Sequence, residues 1–237
     1  SMATIAATAF FFLERDRVSV KWKTPLTIAG LVTGVAALNY FYLRGVWVAS
    51  GDAHTVPTAL RYIDWLITVP LQIVAFYVIL AAVTAVTVGL FWRLLISSII
   101  MIGFGYLGES NAIGNQTLPF VIGLAAWMYI IYEIFAGEAR QVYIASENEA
   151  AQSAFSALRI IVTVGWAVYP LGYAIVHFGG GIDSWALNLI YNVADFVNKI
   201  TFGLAIYGFE IVVSILQAYI FTLLSAVYIQ TSLHPEH

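Results

Sequence analysis

Apolar residues run through this chain in blocks of membrane-crossing length, separated by short polar breaks. A spanning helix needs roughly 20 predominantly apolar residues. The blocks fall at residues 2–13, 25–43, 58–83, 93–108, 118–136, 157–178, 184–207 and 209–230. The breaks carry turn and charge signals. Glu14-Arg15-Asp16-Arg17 with Lys21 and Lys23 forms a charged loop, Ser50-Gly51-Asp52-Ala53-His54 is rich in turn formers, and Gly108 through Gln116 is another turn region. Residues 137–153 are polar and read as a loop, and Gly179-Gly180-Gly181 with Asp183 marks a further turn. The first block has only about half the length of a crossing. The pattern predicts an all-α membrane protein whose hydrophobic segments pack as a bundle, with a shortened first helix and an additional C-terminal hydrophobic helix over 209–237.

Composition strengthens that picture. Hydrophobic residues make up 61% of the chain and charged residues 10%, with a mean hydropathy of +0.88. A water-soluble domain of this length does not need so much apolar surface, so most of the chain lies in a bilayer. The net charge of −3 and the lack of a long basic run argue against nucleic acid as a partner. Without cysteine there are no disulfides or thiolate metal sites. His54, His177, His234 and His237 have no ligand spacing, so no metal site is expected. Glu14 and Arg15 follow the first apolar block directly, which does not fit a cleavable signal peptide. Arg15, Arg17, Lys21, Lys23, Arg93, Arg140 and Arg159 fall at one set of segment ends, and Arg44 alone falls at the other. The positive-inside rule then makes the first set cytoplasmic and the N-terminus external.

The candidate chemistry lies inside the apolar blocks. Lys199 is one of three lysines and sits in the run Trp185 to Tyr207, with Asp195 four residues before it. A lysine and a carboxylate one turn apart in a membrane span are expensive to keep unless they function. A desolvated amine of this kind is suited to forming a Schiff base. A second segment, Arg61-Tyr62-Ile63-Asp64-Trp65-Leu66-Ile67-Thr68-Val69-Pro70-Leu71-Gln72, places Arg61, Asp64 and Thr68 on one helical face. A buried salt bridge that only locks two helices is the bland alternative for Lys199 and Asp64.

Together these two segments resemble the microbial rhodopsins, and most closely their proteorhodopsin branch. The resemblance implies a seven-transmembrane-helix rhodopsin bundle over residues 1–208, a multi-pass protein of the inner (plasma) membrane. It also implies all-trans retinal linked to Lys199. A protonated Schiff base there would be a buried cation needing counterions. Asp64 and Asp195 are the candidates, with Arg61 one turn away holding both ionised and Thr68 hydrogen-bonding the Asp64 carboxylate. Asp64 would accept the proton after illumination. Trp65, Trp166, Tyr169, Pro170 and Tyr173 resemble the aromatic sleeve around the polyene, and Val164 to Pro170 is similar to the family's sixth helix. Met101-Ile102-Gly103-Phe104-Gly105 resembles the fourth-helix wall, where Gly105 leaves room beside the ionone ring. Gln72 occupies a position held by leucine or glutamine in proteorhodopsins, and a polar group there implies a blue-shifted pigment.

The departures from the family pattern bear on function. Ala75 stands eleven residues after Asp64, where the resembled pumps carry a carboxylate that returns a proton. Asn39 stands where they carry a histidine paired with the acceptor. Glu109 resembles a family glutamate but reads more simply as a loop charge. Phe120 fills the place where antenna-bearing relatives have glycine, which argues against a carotenoid partner. The family often forms rings of five or six, so a homo-oligomer is expected. Phe10 to Arg17 resembles the end of the first proteorhodopsin helix. The tail does not follow the family: Leu216 to Leu224 with Val227-Tyr228 resembles the last membrane helix of ATP synthase subunit a, without the essential arginine that precedes it there. A fusion, a designed chimera and a mis-joined gene would each give this arrangement, and a tail helix with no chemistry is the plainer reading. The expected function is that of a light-driven outward proton pump rather than an enzyme. A slow-cycling photosensor and a non-functional scaffold are the alternatives.

Overall fold

A computed structural model describes residues 2–51, 57–82, 84–145, 149–180 and 184–233. Asp52, Ala53, His54, Gly181, Asp183, His234 and His237, singled out in the sequence, lie outside the described residues. The described chain is helical throughout: α1 (Met2–Glu14), α2 (Val20–Ser50), α3 (Thr58–Ala81), α4 (Val88–Glu109), α5 (Thr117–Phe135), α6 (Glu138–Ala145), α7 (Glu149–Ile160), α8 (Trp166–Phe178) and α9 (Ser184–Leu233). A π-helical turn, Ile161–Gly165, joins α7 to α8. Among the described residues, six stretches are long and apolar enough to cross a membrane: Val20–Ser50, Thr58–Ala81, Val88–Glu109, Thr117–Ala145, Phe155–Phe178 and Trp185–Gly208. With the short α1 these make the seven members of the bundle.

Successive helices pack side by side, and α9 closes the bundle against α1, α2 and α7. At the α1–α9 contact the Phe11 ring fills a notch, because a Cβ at Gly203 would stand 2.2 Å from it. Local chemistry sets several helix ends. The Thr87 hydroxyl accepts from the Leu90 amide at 3.2 Å and starts α4. Gly51 ends α2 in the left-handed region at φ 64°, where glycine carries no Cβ penalty. The end of the bundle that carries Glu14, Arg17 and Arg93 is tied by ion pairs. Arg17 reaches Glu14 at 2.8 Å, and Arg93 reaches Glu133 at 2.8 Å and Glu138 at 2.7 Å. These residues mark the basic end of the bundle.

Two expectations are corrected. The polar stretch 137–153 is not a loop over its described part: α6 and the start of α7 are helical, and Glu133 receives the Glu138 amide at 3.1 Å across the Gly137 joint. The tail is not a separate helix either. Residues 209–233 continue α9 without a break, making one helix of 50 residues. Gly208 has neither a proline nor a polar turn former beside it, and one helical glycine costs only about 1 kcal/mol. The backbone of the subunit-a-like stretch is thus helical, while the side chains of Leu216 and Gln217 lie outside the described set.

Candidate functional site

Lys199, three per cent exposed, is carried by α9 into the bundle centre. Its Nζ donates to Asp64 Oδ2 on α3 and to Asp195 Oδ2 at 3.4 Å, one turn back on its own helix. Both carboxylates are fully buried, yet they are held very differently. Asp195 is surrounded by donors: Tyr40 OH at 2.6 Å from Oδ2, Tyr169 OH at 2.6 Å from Oδ1, and Trp65 Nε1 at 3.0 and 3.1 Å from the two oxygens. Asp64 meets only Lys199 through its carboxylate, and Oδ1 has no hydrogen-bond partner among the described residues. The Asp195 carboxylate is thus held by four protein groups, Tyr40, Trp65, Tyr169 and Lys199, and that of Asp64 by Lys199 alone among the described residues.

Arg61 is buried on α3, but it makes no ion pair with either carboxylate among the described residues. Its Nη2 donates to Asn188 Oδ1 at 2.7 Å and its Nη1 to Asn192 Oδ1 at 3.3 Å. Its guanidinium lies over the rings of Tyr191 and Trp65 at 5.2 and 5.8 Å. It therefore acts on the carboxylates through its field rather than by contact. Thr68 also departs from expectation. Its hydroxyl donates to the Asp64 backbone carbonyl at 2.9 Å, not to the carboxylate, which is the usual i−4 back-bond of a helical threonine.

Beside Lys199 lies a cavity whose empty space, opening included, is about 810 Å³. Trp65, Gln72, Met101 and Gly105 line it from α3 and α4. Trp166, Tyr169, Pro170 and Tyr173 line it from α8. Phe120 also lines it and stacks on Tyr173 with ring centroids 4.8 Å apart. The wall is mainly apolar, and its polar groups gather round the Lys199 amine as Asp195 and Asn198, with Gln72, whose Nε2 has no partner among the described residues, further along it. These residues fit a long apolar aldehyde condensed on the amine.

Asn39 is half-buried on α2 and does not border the cavity. The adjacent Tyr40 reaches the site in its place. Ala75 is fully buried, toward the basic end from Asp64. Glu109 is more than a loop charge: it is half-buried at the end of α4 and accepts from Tyr62 OH at 2.7 Å, and Tyr62 itself lines the cavity. The donors Tyr40 and Tyr62 and the acceptors Asn188 and Asn192 add to the residues expected from sequence. Their only signal there is position beside a chosen residue, as with Tyr40 after Asn39 and Tyr62 after Arg61.

The chain as a whole has counterparts among known proteins. The blue-light absorbing proteorhodopsin of Gamma-proteobacterium Hot 75m4 is 53% identical over 207 residues, covering 86% of this chain and 80% of its own. The green-light absorbing proteorhodopsin of Gamma-proteobacterium EBAC31A08 is 52% identical, covering 87% and 81%. Among solved structures, the blue light-absorbing proteorhodopsin from Med12 superposes with a TM-score of 0.76 at 50% identity, covering 89% of this chain and 93% of its own. Exiguobacterium sibiricum rhodopsin superposes with a TM-score of 0.78 at 33% identity, covering 91% and 94%. The profile of bacteriorhodopsin-like proteins matches residues 1–212, and with these relatives it places the chain in the bacteriorhodopsin-like family as a multi-pass membrane protein.

Proposed function

We propose that this chain is a light-driven outward proton pump that carries all-trans retinal on Lys199. The observation that supports it most directly is the inequality of the two carboxylates at one buried amine. Lys199 would hold retinal covalently, and the bound group would supply light-driven isomerisation beside the Lys199 nitrogen. Asp64 would accept the proton of that nitrogen, because its carboxylate touches the nitrogen and Tyr40, Trp65 and Tyr169 donate to Asp195 instead. Asp195, saturated by Tyr40, Trp65 and Tyr169, stays ionised as the permanent counter-charge. Arg61, with Asn188 and Asn192, provides the positive end of the exit side. Gln72 and the sleeve of Trp65, Met101, Gly105, Trp166, Tyr169, Pro170 and Tyr173 hold the chromophore, with Gln72 shifting it to the blue. Asn39 does not border the cavity and is given no part in holding the chromophore.

The basic end faces the cytoplasm in this reading, which puts the N-terminus outside and the protein in the plasma membrane. Rings of five or six copies follow from the family resemblance. No carotenoid partner is expected, because Phe120, which stacks on Tyr173, stands where the resemblance puts glycine in antenna-bearing relatives.

Ala75 favours a second reading. With no carboxylate there, proton return is slow, as suits a photosensor. All-trans retinal added to the purified protein, followed by light-induced pH change in whole cells, separates the cases. Colour with external acidification that a protonophore abolishes supports the pump. Colour without acidification moves the assignment to the sensor, and no colour moves it to a non-functional scaffold.

A further inference from the structure

Ala75, Phe76, Ile79, Phe155, Leu158 and Phe202 separate Lys199 from the basic end, each at most one per cent exposed. The Phe76 and Phe155 rings touch, with centroids 4.9 Å apart. Water does not cross such packing unless a helix moves. The backbone next to this layer is already irregular. In the π turn Ile161–Gly165 the α-helical ladder is interrupted, which leaves carbonyls to be answered from elsewhere.

Two neighbouring helices answer them. Trp127 Nε1 of α5 donates to the Val162 carbonyl at 3.0 Å. Asn198 Nδ2 of α9 donates to the Gly165 carbonyl at 2.9 Å. Asn198 is buried, adjoins Lys199 in sequence and lines the cavity. Its Nδ2 also lies 3.4 Å from Tyr169 OH, which in turn donates to Asp195. Gly165 is required for this seat, since a Cβ there would stand 2.2 Å from Asn198 Oδ1. One carboxamide thus joins the irregular turn to the hydrogen-bond network of the counter-charge.

We propose that Asn198 is a positioning residue that pins the π turn of the sixth span to the lysine-bearing helix, and that release of its bond to Gly165 admits water from the basic end to the Lys199 nitrogen. The light-driven part rests on the retinal reading above, whereas the pin belongs to the chain alone. Without an internal donor at Ala75, this opening sets the rate at which the nitrogen regains its proton. A neutral hydrogen bond contributes about a fivefold bias, ~1 kcal/mol net.

Asn198→Leu keeps most of the side-chain volume and removes the donor. Gly165→Ala attacks the same bond from the opposite helix, so a folding failure in one variant leaves the other as the test. Two readouts are needed. In the retinal-free protein, hydrogen exchange of the amides at 161–166 should rise about fivefold in either variant. In the retinal-loaded protein, flash photolysis should show the Lys199 nitrogen regaining its proton about fivefold faster at every pH from 6 to 9, with the same pH slope. Unchanged exchange, or proton return that is unchanged or slower, overturns the proposal. If the wild type binds no retinal, the reading of function falls, while the exchange result still decides whether the pin exists.

Discussion

Replacing Asp64 by asparagine tests the central assignment most sharply. The side chain keeps its size and loses its charge, so the cavity should survive. Asp195 remains, with Oδ2 at 3.4 Å from the Lys199 nitrogen. A unit charge at that distance interacts by about 5 kcal/mol at an effective dielectric constant of ~20. Asp64 lies closer and has no aromatic donors drawing on its charge, so its contribution is at least of that order. In retinal, excitation moves positive charge away from the nitrogen, so a nearby carboxylate stabilises the ground state more than the excited state. Removing Asp64 should therefore shift absorption to the red by some fraction of ~5 kcal/mol in excitation energy. The same substitution removes the acceptor, so flash photolysis should find no state in which the nitrogen has lost its proton. Acid should reproduce the colour change in the wild type between neutral pH and pH ~3, below the ordinary carboxylate range. The assay is an absorbance titration of the purified pigment beside the variant. A spectrum that ignores both acid and the substitution would refute Asp64 as counter-charge, and a normal deprotonated state in the variant would refute it as acceptor.

Two further predictions concern the lysine and the missing donor. Lys199→Ala should abolish visible absorbance with retinal in excess, whereas Lys21→Ala and Lys23→Ala should leave it intact. It should also lower thermal stability by about 3–5 kcal/mol, because Asp64 and Asp195 lose their buried cation, and calorimetry in detergent reads that change. In the unmutated protein the return of the proton should slow as pH rises from 6 to 9, since it comes from water. Ala75→Glu, about 16 Å along α3 from Asp64, should speed that return at alkaline pH. A pH-independent rate in the wild type would show that another residue donates.

The cost of burying charge made part of this site legible in the sequence. Lys199, Asp195 and Asp64 stand out because a membrane span rejects charges without a use, and Arg61 stands out for the same reason. What distinguishes Asp64 from Asp195 could not be read, because it depends on Tyr40, Trp65 and Tyr169 arriving from three different helices. Aromatic residues are common throughout this chain, and only packing selects those that donate to a carboxylate. Thr68 misled because a helical threonine has a backbone carbonyl within reach before any side chain. The bundle itself was legible from block lengths. The helicity of the polar stretch beyond Gly137 and the continuity of α9 across Gly208 were not, since polarity and a lone glycine weaken a helix without ending it. The π turn has no residue code at all, because Ile161 to Gly165 reads like any apolar helix.

The unbroken α9 also governs how this protein must be prepared. Fifty residues extend about 75 Å, against a hydrocarbon core of ~30 Å. Beyond Gly208 the described helix carries one charged residue, Glu210, and displays Tyr219, Phe221, Leu224 and Tyr228 as exposed side chains. Detergent that covers only the bundle leaves this rod bare, so extracted particles will associate through it unless the micelle extends along its length. A chain stopped at Gly208 will need less detergent, elute as a smaller particle and suit crystallisation better than the 237-residue form.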